Sequence, residues 1–233
     1  MDVPLFVMAV EDEDGEVMFS PCSDMAAAHW ITASDQHWWD LVTLGPTGFP
    51  AYARLRFIPD PAHEGQSESE GASQTGVRSV GDTLSETEQL RVAVETLLQH
   101  PGSTTDGYLL MWDGYGESTT PESVLSTPRV VITDDEASSD SSASPMREYH
   151  LVRVSLSNFV SGAAEDSWQA ATGLPMYAPA FIWPADHTWC ITADVDPHWA
   201  GIGAEHTLVD SLLTEPRLDI VRVEENRKLP FYS

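Results

Sequence analysis

The residues best suited to chemistry lie between Ala180 and Gly203, in the sequence AFIWPADHTWCITADVDPHWAGIG. Asp194, Asp196 and His198 alternate with other residues, so an extended chain would place them on one face. Carboxylate and imidazole groups together suit zinc, manganese or iron. One interpretation is therefore a divalent metal site and a metal-dependent hydrolase. Because neighbours on one strand face lie roughly 6 to 7 Å apart, a fourth group from elsewhere would have to close the site.

The same stretch contains candidates for binding a ligand. Five aromatic or polar residues suit a groove for a sugar, a base or a peptide: Trp183, Asp186, His187, Trp189 and Trp199. The competing interpretation places the tryptophans in the core. A thiol nucleophile at Cys190 would need a histidine as base, and a separation of three positions puts His187 on the opposite strand face. No residue is predicted to be catalytic on this evidence.

Two further sets of residues outside this stretch are candidates for chemistry or binding. Asp113 and Glu117 flank a glycine-rich turn, where two carboxylates suit acid and base roles, although solvated acids at such turns are common. Trp38 and Trp39 offer either a stacking platform or core packing. Neither set decides a function from its sequence alone.

Short strands and helices must position these residues. Thr188–Ala193 and Ala51–Ile58 alternate as strands do, and the second places Arg54 and Arg56 on one face, where pairing with nearby acids is expected. Ser85 and Glu88 form a capping box at the start of a helix. Because strands and helices do not alternate regularly, we predict an α+β fold. It has a mostly antiparallel sheet, solvated on one face, with three or four packed helices and two acidic low-complexity loops.

The length of 233 residues suits a single domain, 1–233. Serine, glycine and acidic residues dominate two segments, which predicts mobile stretches at 60–82 and 133–146. The alternative is a division into an N-terminal half, 1–105, and a C-terminal half, 106–233.

The composition is strongly acidic. Thirty-seven Asp and Glu stand against eleven Lys and Arg, giving a net charge of −26. Such a surface repels nucleic acid and anionic membranes and attracts cations or basic proteins. The leading interpretation is a soluble, non-enzymatic binding protein, an immunity-type or regulatory factor for a basic protein partner. A structural or accessory protein, whose acidity serves solubility alone, is the third interpretation beside the hydrolase.

The compartment is predicted from the cysteines and the N-terminus. Two cysteines, Cys22 and Cys190, are too few for a disulfide framework. The chain begins without a basic n-region, and its first apolar run is too short for a signal or a membrane span. We therefore expect a cytoplasmic protein with reduced thiols.

Three motifs resemble those of a family of actinobacterial proteins. They are WDGYG at Trp112–Gly116, YHL at Tyr149–Leu151 and WPADxxWC at Trp183–Cys190. The segment HWWDLVTLGPTGFPAYARLRFIPDP is similar to the N-terminal part of some members. The resemblance implies a shared lineage and a cytoplasmic habitat, and it implies no particular reaction.

Overall fold

The computed structural model describes residues 10–11, 17–74, 84–134, 145–224 and 229–233. The acidic turn at 12–16 and much of the two low-complexity segments, at 75–82 and 135–144, lie outside this part of the chain. Expectations about them stay predictions. Within the first segment, Glu68–Gln74 is helical. The sequence predicted a loop there and missed the contact in which the Glu70 carboxylate accepts a hydrogen bond from the Ser67 amide.

Ten strands form one sheet in the described residues, and every pairing is antiparallel. In chain order they are β1 Val10–Glu11, β2 Val17–Pro21, β3 Ala51–Arg56, β4 Asp106–Trp112, β5 Arg129–Ile132, β6 Arg147–Ser155, β7 Phe181–Pro184, β8 Trp189–Thr192, β9 Trp199–Ala204 and β10 Ile220–Arg222. The order in space is β1-β2-β6-β4-β7-β8-β9-β3-β10, and β5 also pairs with β6. Strands from the first 105 residues thus lie on both sides of the central strands β6, β4, β7, β8 and β9, and the C-terminal β10 lies outside β3.

Eight α-helices complete the described fold, and three of them have eight residues or more. They are α1 His29–Thr32, α2 Trp38–Leu44, α3 Glu68–Gln74, α4 Glu86–Leu98, α5 Glu122–Leu125, α6 Leu156–Ser161, α7 Ala163–Thr172 and α8 His206–Leu213. The predicted capping box is present at α4, where Ser85 and Glu88 bond each other's backbone amides. The predicted α+β class with a mostly antiparallel sheet is confirmed.

Helices cover both faces of the central sheet. Side chains of α4, α6, α7 and α8 pack in one apolar cluster against one face. Side chains of α1 and α2 join a second cluster on the other face. The prediction of one solvated face is therefore wrong for β7, β8 and β9, all of whose residues are buried.

Helix α2 packs unusually close to β9. A Cβ atom on Gly201 would lie 2.6 Å from the Leu44 Cα, so only glycine fits at this contact. The Trp199 indole donates to the Thr43 carbonyl 3.3 Å away, which ties the C-terminal end of α2 to the sheet. At the other end, His37 Nδ1 accepts from the Trp39 amide. The Ser34 hydroxyl, which precedes the helix, donates to the Gln36 side chain.

No helix in the described ranges combines the length and the apolar character needed to cross a bilayer. The longest, α4, has 13 residues.

Candidate functional site

The three predicted metal ligands are divided between two ion-pair clusters. The Arg147 guanidinium donates to both oxygens of Asp194, at 3.0 and 2.9 Å, and also to Asp196. His198 lies elsewhere, with its Nε2 3.2 Å from Asp60 Oδ1. The predicted convergence is wrong because the strand stops at Thr192 and the chain bends before β9. In the described residues, no three His, Cys, Asp or Glu side chains are grouped as metal ligands.

Asp60 is the centre of the cluster that contains His198. Arg54 donates to both of its carboxylate oxygens, at 2.7 and 3.0 Å, and Arg56 donates to it at 3.2 Å. Burial acts to raise the pKa of Asp60, but hydrogen bonds from His198 and Arg54 outweigh it and hold the pKa well below its ordinary range. Arg56 also holds Asp219. The predicted internal pairing of the two arginines is confirmed.

The three candidate tryptophans of the predicted binding groove are buried in the core. Trp183 lies in the cluster beneath α1 and α2, where it stacks on Tyr108 at 5.5 Å. Trp189 belongs to the cluster on the opposite face of the sheet. Trp199 is covered by Phe231 and by the Arg54 guanidinium, 4.8 Å above its ring. These side chains do not line a common groove.

Asp186 and His187 form the exposed turn between β7 and β8. The Asp186 carboxylate accepts bonds from the Thr188 amide and hydroxyl. His187 has a φ of 56°, and its ring stacks on Trp30 at 4.5 Å. Cys190 is fully buried, and burial raises the pKa of its thiol, which disfavours the nucleophilic thiolate.

The Asp113 carboxylate contacts a buried histidine, and it does not pair with Glu117. Its Oδ1 lies 2.8 Å from Nε2 of His150, and its Oδ2 lies 3.0 Å from the Arg129 guanidinium. The His150 side chain has no solvent exposure. Residues 37 positions apart carry no local sequence signal for this contact.

His150 makes stability depend on pH. Burial lowers the pKa of His150, and the Asp113 carboxylate offsets only part of this effect. The unfolded chain therefore binds the proton more readily, so the free energy of unfolding should fall as pH drops below about 6.5, by up to about 1.4 kcal/mol per pH unit. The free energy of unfolding, measured by urea titration at several pH values in this range, should depend less steeply on pH for His150→Gln than for the native protein. The exposed His63→Gln serves as the control, and equal slopes in the native protein and His150→Gln would refute the assignment.

Two stacked tyrosines, one exposed and one half-buried, lie within electrostatic range of Glu86 at the start of α4. The rings of Tyr115 and Tyr177 stack at 4.1 Å, and Tyr177 is 43% exposed. Burial and the charges of Glu86 and Asp194 raise the pKa of Tyr115. Burial and the charge of Glu68 raise the pKa of Glu86. We call Tyr115, Tyr177, Glu68 and Glu86 the acidic-aromatic patch.

An apolar groove of about 610 Å³ opens between α2 and the C-terminal residues. Its largest apolar walls are Trp39, Leu44, Val223, Leu229 and Phe231. The sequence offered only the Trp38–Trp39 pair as a signal for it. Val223, Leu229 and Phe231 come about 180 residues or more after Trp39, and no local pattern brings them together.

Comparison with protein-family models, with curated proteins and with solved structures finds no match for this chain. The resemblance to actinobacterial proteins therefore stays a prediction.

Proposed function

We propose that the protein is a non-enzymatic binding protein, an immunity-type or regulatory factor, that holds a basic protein partner through its acidic surface. The observation that carries this proposal is the acidic-aromatic patch. A guanidinium group stacks on aromatic rings and pairs with carboxylates, so the exposed Tyr177 ring, stacked on Tyr115 near acids, suits an arginine of a partner.

The distribution of arginines supports the same conclusion. Eight arginines have described side chains, and each forms an ion pair within the protein: Arg54, Arg56, Arg91, Arg129, Arg147, Arg153, Arg217 and Arg222. Within the described ranges, Glu68 and Glu86 form no ion pair with any of them. Both side chains are exposed, so a cation from outside can reach their carboxylates.

The test is a binding titration with a fluorescent peptide of alternating arginine and glycine. Native protein should bind it, and affinity should fall steeply between low and moderate salt because exposed charges are screened. The variant Glu68→Gln/Glu86→Gln should bind about tenfold more weakly, since it loses two surface charge pairs.

A matched control separates the patch from overall charge. Glu122→Gln/Asp166→Asn removes two exposed acids from other helices and changes the net charge equally. It should lose little affinity. Equal losses of affinity in the two variants, or an affinity that does not depend on salt, would show that the patch is not a recognition site.

A further inference from the structure

Hydrogen bonds hold the loop that lines one side of the apolar groove. Gln36 Oε1 accepts a hydrogen bond from the Thr47 amide at 2.9 Å, and its Nε2 donates to the Gly45 carbonyl at 3.1 Å. Tyr52 donates to the Pro46 carbonyl at 2.7 Å. The loop after α2 is therefore held in place, and the groove volume lies within the range of small-molecule and side-chain pockets, about 300 to 1,000 Å³.

Among the described residues that line the groove, Asp40 is the one charged group. Asp40 lines the groove and is exposed in the first turn of α2. Across the described residues, no arginine or histidine pairs with its carboxylate. An apolar residue entering the groove would thus pass an available negative charge, which favours a segment that also carries a cation.

The C-terminal residues connect the groove to the acidic-aromatic patch. Phe231 lines the groove and packs on Trp39 and Trp199, with ring centroids 5.6 and 4.7 Å apart. The hydroxyl of the next residue, Tyr232, donates to the Pro59 carbonyl, and its ring packs against Gly71 of α3. Its pKa is raised by burial, by Asp60 and by Glu68, which is part of the patch. The C-terminal residues thus extend from the groove to α3, the helix that carries Glu68.

We propose that this groove takes an apolar anchor residue of the basic partner, flanked by lysine or arginine. The inference rests on the proposed function and locates the apolar half of the interface. A second copy of this chain is a poor occupant, because each copy carries a net charge of −26 and the two would repel. A basic, amphipathic protein segment supplies both the apolar side chain and the opposite charge.

The experiment compares two synthetic peptides of equal length and charge, one of lysine and leucine in an amphipathic helical pattern and one of lysine and glycine. Native protein should bind the leucine peptide about tenfold more tightly, the effect of burying one large apolar side chain. Thr47→Trp fills the groove from its exposed loop and should abolish this advantage. Thr207→Trp, at an exposed position on α8, is the matched control and should preserve it.

The outcomes separate the two proposals. Equal, salt-sensitive binding of both peptides would overturn the groove and leave the acidic binding function standing. A leucine advantage that survives high salt and is unaffected by Glu68→Gln/Glu86→Gln would support the groove and overturn the patch. Absence of binding to either peptide would overturn both. A native dimer that Thr47→Trp converts to a monomer in sedimentation would assign the groove to a second copy and overturn the partner proposed here.

Discussion

Replacing Asp60 with alanine is expected to destabilise the fold by about 3 kcal/mol. The change leaves Arg54, whose side chain is 8% exposed, as a buried charge without its bidentate partner. It also removes the carboxylate that His198 contacts, and the His198 side chain is only 3% exposed. Urea unfolding followed by tryptophan fluorescence measures the loss, because Trp199 packs directly against this cluster.

The control for this prediction is Asp219→Ala. Asp219 pairs with Arg56 at the surface, where it is 47% exposed, and Arg56 retains Asp60 after the change. Its loss should cost less than about 1 kcal/mol. Asp60→Asn keeps the shape but not the charge, so an intermediate value is expected. Similar losses for Asp60→Ala and Asp219→Ala would show that the buried cluster does not stabilise the fold.

Gly201→Ala should destabilise the protein by about 2 to 3 kcal/mol. The added methyl would come within 3.0 Å of the backbone of Thr43 and Leu44, which cannot rotate away. Helix α2 must therefore shift from β9, and the bond from Trp199 to the Thr43 carbonyl should break. Thermal unfolding gives the loss of stability, and the fluorescence spectrum of the folded variant reports the new surroundings of the indole.

Gly203→Ala tests whether backbone contact is the cause. Gly203 lies on the same face of β9, but a Cβ there would meet the ring of Phe49, which is a half-buried side chain able to turn. A cost of roughly 1 kcal/mol is expected. If the two glycine variants lose the same stability, close packing of α2 is not what requires glycine at position 201.

Local patterns predicted many of the elements. The strands predicted at Thr188–Ala193 and Ala51–Ile58 correspond to β8 and β3, and the capping box of α4 is where it was predicted. Strand β9 was missed, because Gly201 and Gly203 lower the strand propensity of its sequence. The reason for these glycines is the approach of α2 and Phe49, which come about 150 residues earlier in the chain, and no short window contains that information.

The candidate sites depended still more on distant contacts. Alternation grouped Asp194, Asp196 and His198 by assuming that the strand continues through Pro197. The structure instead pairs His198 with a carboxylate 138 residues away and Asp194 with an arginine 47 residues away. Composition was more informative, because net charge is independent of the fold. It indicated the class of partner that we propose, but not the patch or the groove.

The order of strands also bears on synthesis of the chain. Among the described strands, β3 pairs with β9 and β10, which lie about 150 residues later, so these partners are absent while the first half of the protein leaves the ribosome. At about 5 to 20 residues per second, roughly 7 to 30 seconds pass between the synthesis of this strand and that of Trp199–Ala204. The acidic residues of the nascent chain repel other nascent chains during that interval, which protects the exposed strand edge from association.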